Sequence, residues 1–300
     1  MAFRRVRRAC EERPQGMRNY TSDAAFPAGF RVPELPEVEA VAREVRAELL
    51  RSTIVGAHVR RWSVVTGASR RSDRLLLGAR IDEVLRHGKQ LALVGRDGSV
   101  LVVQLGMTGA FGVVPAATPL EPHTHITWRL DRSRDLRFVD PRRFGGVSWL
   151  KDRAALSDRW SLLGPDALEV RPGWAARIAS NRRAIKAALL DQRAIAGVGN
   201  IYADEALSLV GIAPQRLCCQ LAEPEFDALG RSIGTIMRSA IASGGSTIRT
   251  YRRLSGGAGA FQASLRVYGR AGEPCVECSR PLTSGLVAGR TTVWCNTCQN

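Results

Sequence analysis

The stretch Val32-Pro33-Glu34-Leu35-Pro36-Glu37-Val38-Glu39 opens the part of this chain whose pattern indicates an ordered fold. From residue 36 to 50, four apolar side chains recur at helical spacing, with Glu and Arg between them: Val38, Val41, Val45 and Leu49. This spacing predicts an amphipathic helix that begins after Pro36. We therefore expect the fold to open with this helix.

Residues 1–32 differ in character from the remainder of the chain. They hold seven arginines and three acidic residues, with no apolar segment typical of a signal peptide and no amphipathic period. Valine can be encoded by GTG, which bacteria also read as a start codon, so Val32 is a candidate initiator. A misassigned start is the favoured interpretation, and a genuine basic tail or a processed targeting segment is the alternative.

The composition favours a partner of negative charge. The net charge is +16, the isoelectric point is near 10.7 and 45% of the residues are hydrophobic. No apolar run reaches the roughly 18 residues that a membrane span requires, so no membrane partner is expected. Such a positive charge supports binding to a polyanion through counterion release. Charge alone leaves nucleic acid, an anionic membrane surface or no specific partner open.

Lysine is almost absent from a chain rich in basic residues. It occurs only as Lys89, Lys151 and Lys186, and all the other basic side chains are arginine. A lysine retained against this bias is a candidate for work that arginine cannot do, such as releasing a proton. Chance retention is the alternative, and Lys151 has the sequence context of an ordinary surface residue.

The last 26 residues carry the spacing of a metal site. Two CxxC pairs, Cys275/Cys278 and Cys295/Cys298, are separated by 16 residues. Two such pairs on facing turns can form a tetrahedral four-thiolate site, which predicts one structural Zn²⁺. Two disulfides, or chance, are the alternative, because Cys10, Cys218 and Cys219 make the total odd. Cys218 and Cys219 are expected to be packing residues.

The hydrophobic period changes near residue 151. Seven short apolar or alternating runs, broken by Gly, Asp and Pro, lie within residues 54–150 and predict the strands of a sandwich or barrel. They are IVGAHVRRWSVV, RIDEVLRH, QLALVG, SVLVVQLGM, HITWRL, DLRFVD and GVSWL. Helical patterns follow at 182–191, 199–210 and 223–242. The predicted organisation is a leader at 1–32, a β-sandwich domain at 33–150, a linker at 151–172, a helical domain at 173–262 and a metal-binding hairpin at 263–300.

The order of motifs resembles that of the formamidopyrimidine-DNA glycosylases over nearly all of residues 33–300. The motifs that carry the resemblance are PELPEVE, HGKQLALV, QLGMTG, PHTH, DPRRFG, LGPDAL, AIKAALLDQRAIAGVGNIYADEAL, GGSTIRTY, VYGRAGEPC and AGRTTVWCNTCQ. The resemblance implies an α+β fold: an N-terminal β-sandwich with flanking helices, then a helical domain with a helix-two-turn-helix element and a zinc hairpin. Damaged double-stranded DNA would lie between the two domains.

The resemblance also implies catalytic roles. Pro33, exposed as the N-terminal residue, would be the nucleophile, and an α-amine titrates well below a lysine ammonium, which leaves more of it neutral near pH 7. Glu34 would donate a proton to the sugar or base. Lys89 would contact phosphate and transfer a proton during β-elimination, and Arg290 would bind phosphate and assist δ-elimination. Glu37 would bind the amine or order the opening, although Glu37 and Glu39 can equally be first-turn acids that complement the helix dipole.

Further residues match the family's DNA contacts. Met107, Arg142 and Phe144 resemble the trio that fills the space left by a flipped base, where an apolar wedge and a cation are suited to the task. His123 resembles a DNA contact, although His123 or His125 can instead satisfy a buried hydrogen bond. The remaining candidates are Asn181, Arg182, Lys186, Asn200 and Tyr268.

The implied function is a bifunctional DNA glycosylase and AP lyase of base excision repair that acts on oxidised purines. The alternatives are an endonuclease VIII-like enzyme for oxidised pyrimidines, a lyase that uses Lys89 as its amine, and a non-catalytic binder of damaged DNA if residues 1–32 stay attached. The loop 251–268 matches the family's lesion loop in length and Gly content. Gln90, Asn181 and Ala263-Ser264 depart from the family pattern. A bacterial, cytoplasmic, nucleoid-associated monomer is expected.

Overall fold

Helix α1 (Leu35–Leu49) opens the ordered part of the chain, as the apolar spacing predicts. A computed structural model describes residues 33–67, 75–246 and 260–300. Glu34 is extended, and its backbone N–H donates to Glu37 Oε2 at 3.0 Å, which satisfies one of the free donors at the helix start. The predicted apolar face is buried along its whole length, so α1 is a core helix.

Two sheets follow, and together they form the predicted β-sandwich. The four-stranded sheet has the order β1-β7-β8-β6, and the five-stranded sheet has the order β2-β9-β5-β4-β3. Neighbouring strands are antiparallel except for β2 and β9. The strands are β1 (Ile54–Val59), β2 (Val65–Thr66), β3 (Ile81–His87), β4 (Gln90–Gly95), β5 (Val100–Gln104), β6 (Ala110–Pro115), β7 (Thr124–Leu130), β8 (Arg134–Val139) and β9 (Gly146–Leu150).

Strand β6 is absent from the runs that the sequence predicts. Its segment, AFGVVP, holds a glycine and ends at Pro115, and both residues weaken a strand pattern. The strand forms at the edge of its sheet, where it pairs with β8 alone. A proline is tolerated at that position because an edge strand needs hydrogen bonds on one side only.

The second half of the described chain is helical, and it ends in a two-stranded hairpin. The helices are α2 (Arg153–Ser161), α3 (Ile185–Leu190), α4 (Asn200–Leu209) and α5 (Glu223–Ala242), and the hairpin strands are β10 (Thr283–Val287) and β11 (Arg290–Trp294). The predicted linker 151–172 is therefore not irregular throughout. Asp152 caps α2 by accepting a hydrogen bond from Ala155 N at 2.8 Å.

One hydrophobic core connects the sandwich to the helices. Helix α1 packs against β3 and β6, one strand from each sheet, and against α5. The core includes Leu35 from α1, Leu105 from the sandwich and Ile201 from α4, all nearly inaccessible to solvent. The hairpin has a separate small core that contains Val267, Leu282 and Val293. As a result, the start of α1 lies at the junction of the two halves.

The longest described helix, α5, has 20 residues and carries charged side chains on its outer face, among them Asp227, Arg231 and Arg238. Among the residues that the structure describes, no helix has the length and hydropathy that a membrane crossing would demand.

Candidate active site and nucleic-acid interface

The Glu34 carboxylate lies at the N-terminus of α4. Its Oε1 accepts a hydrogen bond from Ile201 N at 2.9 Å, and its Oε2 accepts one from Tyr202 N at 3.4 Å. Gly199 makes this approach possible, since a Cβ there would lie 2.3 Å from the Glu34 carboxyl carbon. Gly197, with φ of +111°, leaves room for Leu35 in the same way. The GVGN sequence thus forms a socket for the start of α1.

The environment of Glu34 favours its protonated form. The side chain is 2% exposed, and burial raises its pKa from 4.5 to about 7. The positive charge of Lys89 and the two backbone amides oppose this shift, whereas the negative charge of Glu37 reinforces it. A carboxyl group with this pKa can hold a proton and release it near neutral pH.

Lys89 lies in the tight two-residue turn between β3 and β4, in which Gly88 precedes it with φ of +54°. Burial lowers the pKa of Lys89 below its ordinary value of 10.5, while the carboxylates of Glu34 and Glu37 oppose that change. The charge of Arg290, at the start of β11, lowers it further. The structure therefore brings Glu34, Lys89 and Arg290, which are far apart in sequence, into one electrostatic group beside Pro33.

Glu37 connects three parts of the chain. Its Oε1 accepts hydrogen bonds from Tyr202 Oη at 2.7 Å and from Ser246 N and Oγ, both at 2.9 Å. Its Oε2 accepts the Glu34 backbone N–H. Glu37 is therefore more than a first-turn acid that complements the helix dipole, because it links the Pro33-Glu34 segment to α4 and to the residue that precedes the segment 247–259.

Lys186 is not positioned as the sequence-based interpretation expects. Its side chain is fully buried, and its Nζ lies 2.6 Å from Asp204 Oδ1 and 2.6 Å from Thr292 Oγ1. Burial lowers the pKa of Lys186, with Asp204 opposing, and burial raises the pKa of Asp204 to about 6. In this structure Lys186 is an internal ion-pair partner that joins α3 to α4 and β11, and its ammonium does not reach a surface.

The other predicted contacts of the helical half are more accessible. Arg182 is exposed, and Asn181, Asn200 and Tyr268 are half-buried. Asn200 Nδ2 donates to Thr291 O at 2.9 Å, so Asn200 also contacts the hairpin. The backbone N–H of Tyr268 donates to Glu205 Oε1 at 2.8 Å.

The predicted void-filling residues lie on two turns in backbone contact. A Cβ on Gly106 would lie 2.3 Å from Gly145 N, which shows how closely the turns approach. Asp140 connects them, since its carboxylate accepts hydrogen bonds from Thr108 Oγ1 at 2.5 Å and from Gly145 N at 2.8 Å. Phe144 is 57% exposed, and the Arg142 guanidinium carbon lies 4.6 Å from the centre of its ring.

Met107 lies on the first of these turns and is half-buried.

The sequence leaves open whether His123 and His125 contact DNA or satisfy a buried hydrogen bond, and the structure places the two side chains in different environments. His125 is 5% exposed, and its Nε2 lies 2.8 Å from Asp140 O, so His125 satisfies a buried hydrogen bond. His123 is exposed and lines a cavity with Arg61 and Arg143.

Four cysteine sulfurs converge at the hairpin, as the spacing predicts. The Sγ atoms of Cys275 and Cys298 are 4.0 Å apart, those of Cys278 and Cys295 are 3.5 Å apart, and all four lie within 4.8 Å of one another. A tetrahedral ion with bonds of about 2.3 Å to sulfur requires sulfur atoms about 3.8 Å apart. The donor set therefore fits a four-thiolate metal site. Cys218 and Cys219 are buried elsewhere. Cys218 is a free cysteine, in keeping with a packing role, whereas Cys219 is disulfide-bonded, which the sequence does not predict. Lys151 lies at the surface.

Two sequence-based predictions lie outside the described residues. They are the interpretation of residues 1–32 and most of the predicted lesion loop, of which only 260–268 is described.

Several residues that contact the site were not identified from the sequence. Tyr202, Asp204 and Ser246 contact the predicted residues, and Asp166 and Arg86 contact Gly88 in the turn that contains Lys89. Most of their partners lie far away along the chain or come from another element, so residue spacing cannot reveal the pairs. One available signal is that Asp166 and Asp204 fall inside the recognised motifs LGPDAL and YADEAL.

Comparison with known proteins shows which proteins share this architecture. The profile of the Formamidopyrimidine-DNA glycosylase N-terminal domain matches residues 32–147, and that of the family's H2TH domain matches residues 163–252. A formamidopyrimidine-DNA glycosylase of Syntrophotalea carbinolica is 36% identical over 275 residues, which cover 89% of this chain and 100% of the relative. The Salmonella typhimurium protein of the same name is 38% identical, with the same coverage.

Solved structures agree with the sequence relatives. The crystal structure of the MutM (Fpg) protein of Thermus thermophilus aligns with a TM-score of 0.79 and 40% identity, covering 89% of this chain and 98% of that one. A Lactococcus lactis Fpg mutant in complex with DNA containing Fapy-dG aligns with a TM-score of 0.83 and 33% identity, covering 89% and 100%. With both domains matched, the chain belongs to the formamidopyrimidine-DNA glycosylase family.

Proposed function

We propose that this protein is a DNA glycosylase of base excision repair that excises oxidised purines from double-stranded DNA and then cuts the strand at the resulting abasic site. The observation that carries the proposal is the position of Glu34. A buried carboxyl group with a pKa of about 7 adjoins Pro33, and the cationic side chains of Lys89 and Arg290 act on the same site. This combination supplies a proton donor and two phosphate-binding cations beside a latent secondary amine.

Pro33 is the proposed nucleophile once it is the N-terminal residue. Its neutral nitrogen forms a bond to the sugar C1′, and the C1′–N bond to the damaged base breaks with its electron pair leaving on the base. The nitrogen gives up its proton to the departing base, the C1′–O4′ bond opens, and Glu34 supplies the proton that O4′ gains. The product is an iminium between Pro33 and C1′. When residues precede Pro33, its nitrogen is part of an amide and cannot act as the nucleophile.

The iminium makes the C2′ proton acidic, and its loss breaks the C3′–O bond to the 3′-phosphate. Loss of the C4′ proton then breaks the C5′–O bond to the 5′-phosphate, and water hydrolyses the remaining iminium, which frees Pro33 and the unsaturated sugar fragment. Lys89 is the proposed proton carrier for the first elimination, because its lowered pKa makes a neutral amine accessible. Arg290 is proposed to hold phosphate, since a guanidinium stays protonated and binds phosphate oxygens in pairs. The expected product is a gap flanked by two phosphates.

Binding is proposed to involve both halves of the protein. The exposed Phe144 ring and the Arg142 guanidinium stacked near it would enter the space left by the flipped nucleotide, with Met107 beside them. His123, Arg182 and Asn200, with Asn181 and Tyr268, remain the proposed contacts to the sugar-phosphate backbone and lesion loop. Lys186 would support this surface from below rather than contact phosphate.

The metal is proposed to be Zn²⁺ bound by Cys275, Cys278, Cys295 and Cys298. Four thiolates leave no open coordination position, so the ion has a structural role. When bound, it would stabilise the two turns that flank β10 and β11 and thereby hold the hairpin that carries Arg290.

The decisive experiment is borohydride trapping on a duplex with 8-oxoguanine opposite cytosine, followed by mass mapping of the crosslinked peptide. Protein prepared to begin at Pro33 is compared with the 300-residue chain. We expect an adduct on a peptide that begins at Pro33 for the first protein and none for an intact longer chain.

Substitution of Pro33 and a second substrate complete the test. Pro33→Gly retains an amine of lower basicity, and we expect it to lose most of the trapping. An adduct mapped to Lys89 would identify Lys89, and not Pro33, as the nucleophile. Preferred trapping on a duplex with an oxidised pyrimidine would overturn the purine assignment, and binding without any adduct would leave a damage-binding protein.

A further inference from the structure

We propose that Asp166, in the segment between the two halves of the protein, is a positioning residue that holds Lys89 in place for strand cleavage. The inference rests on the role proposed above for Lys89. Asp166 does not touch that lysine. It acts on the Gly88-Lys89 turn, of which Lys89 is the second residue, through Arg86 and through the Gly88 backbone.

The contacts of Asp166 are short and buried. Arg86 Nη1 and Nη2 donate to Asp166 Oδ2 and Oδ1 at 2.5 and 3.0 Å, and the two side chains are 8% and 5% exposed. The Gly88 backbone N–H donates to Asp166 Oδ2 at 2.7 Å. Arg86 Nη1 also donates to Gly88 O at 3.0 Å. Both polar groups of the Gly88 backbone are therefore held by one bidentate ion pair.

The turn is also confined by packing. A Cβ on Gly88 would lie 2.8 Å from the Ala196 Cβ and 3.1 Å from Gly197 N, so the turn is in close contact with the segment that leads to the Glu34 socket. Asp166 and Ala196 form a parallel bridge, with hydrogen bonds from Ala196 N to Pro165 O and from Ala167 N to Ala196 O, both at 2.9 Å. The ion pair thus fixes the Lys89 turn against the segment that positions Glu34.

The Arg86 ion pair has a second branch that does not involve the turn. Arg86 Nε donates to Glu39 Oε2 at 2.8 Å, which connects β3 to α1. Glu39 makes no hydrogen bond to Gly88 among the described contacts. Glu39→Gln therefore weakens the same arginine's charge pairing without loosening the turn, which makes it a matched control for Asp166→Asn.

The test uses protein that begins at Pro33 and a duplex with a preformed abasic site. Two quantities are measured under single turnover: the borohydride-trapped iminium, which reports Pro33, and the nicked product, which reports elimination. For Asp166→Asn we expect nicking to fall about 10- to 100-fold, in the range typical of small misplacements of a reacting group. Trapping should change little, so the ratio of iminium to nicked product rises.

The control variants separate positioning from loss of folded protein. Glu39→Gln should nick within about twofold of the unsubstituted protein after correction for folded fraction, and Asp166→Glu, which keeps the charge, should recover part of the lost rate. Equal losses of trapping and nicking in Asp166→Asn would show a merely structural role and overturn the inference. The inference would also be overturned if Asp166→Asn nicked at an unchanged rate while Lys89→Ala lost nicking activity. If the unsubstituted protein neither traps nor nicks, the proposed function itself is wrong.

Discussion

Glu34 shows how a single side chain acquires a chemical role from its surroundings. Burial disfavours its charge, while the α4 amides and Lys89 favour it, and the balance gives a pKa of about 7. A carboxyl group in water has a pKa near 4.3 and would almost never be protonated at neutral pH. The packing around Glu34 is therefore what makes it a candidate acid.

A pH dependence follows from that pKa. Excision that needs protonated Glu34 is expected to decline above about pH 7, because the protonated fraction falls there. The raised pKa also means that the stability contributed by Glu34 is complete below pH 4.5 and is lost as the pH rises through about 7. Single-turnover excision rates from pH 5 to 9 measure the first effect.

Glu34→Gln provides the comparison for that profile. We expect excision to fall about 10² to 10⁴-fold, as for loss of a general acid, and the decline near pH 7 to disappear from the remaining activity. An unchanged alkaline limb in this variant would show that another group titrates there.

The buried ion pair between Lys186 and Asp204 gives a prediction about stability. Lys186→Met leaves the Asp204 carboxylate buried opposite a neutral side chain, and we expect a loss of about 3–5 kcal/mol in the free energy of unfolding. The double variant Lys186→Met/Asp204→Leu should recover most of this loss, because neither charge remains. Urea denaturation of the three proteins measures both effects.

DNA binding by the same double variant tests the corrected placement of Lys186. Full duplex affinity in the folded double variant is expected if Lys186 is internal. A clear loss of affinity despite restored stability would return Lys186 to the phosphate contacts.

At the scale of elements, the hairpin β10–β11 relies on contacts from outside its own two strands. Its core is small, with Val267, Leu282 and Val293 packed beside the cysteines, and short two-stranded hairpins are marginal without support. Thr292 Oγ1 and Val293 N connect β11 to Lys186 and Asp204 of the helices. Arg290, at the first position of β11, is positioned by this combination.

Removal of one metal ligand should therefore disorder one element and spare the others. For Cys295→Ser we expect loss of bound zinc, faster proteolysis within residues 283–294 and weaker DNA binding, with the sandwich domain still folded. Cys218→Ala, which alters a buried cysteine outside the cluster, should keep its zinc. Metal content and limited proteolysis measure the difference, and an intact hairpin without zinc would contradict the proposed structural role.

At the scale of the whole molecule, positive charge and a shared core act together. The net charge of +16 attracts DNA without regard to sequence, whereas the core shared by α1, the sandwich and α5 determines which cations face the same site. Lys89, Arg142, Arg182 and Arg290 come from different segments of the chain. Their common action on one duplex would be a property of the assembled protein.

This arrangement predicts a defined salt dependence. If about four cations neutralise phosphates, the logarithm of the duplex affinity should fall against the logarithm of salt concentration with a slope of about −4. Arg182→Ala should reduce that slope by about one. Lys151→Ala, which removes an exposed cation in the segment between the two halves, should leave it unchanged. Fluorescence anisotropy on undamaged duplex measures the slopes, and equal effects of both variants would indicate that binding uses only diffuse charge.

The sequence by itself determined the features that depend on local order. The period of α1, most strands of the sandwich, the helical segments predicted at 182–191, 199–210 and 223–242, and the convergence of the four cysteines are confirmed, because periodicity and CxxC spacing act over a few residues. The motif order indicated the family, and the comparisons confirm it. Strand β6 and helix α2 were missed, since a glycine, a proline and a short weak pattern masked them.

Only the tertiary structure decided what those residues do to one another. The sequence predicted Lys186 as a phosphate contact, but in the folded protein its side chain is buried beside Asp204 and Thr292. The sequence predicted no partner for Asp166, which lies about 80 positions along the chain from Arg86 and Gly88, the residues that it binds. Burial and charge pairing arise between segments distant along the chain, so the pKa of Glu34 and the placement of Lys89 depend on packing that local pattern does not encode.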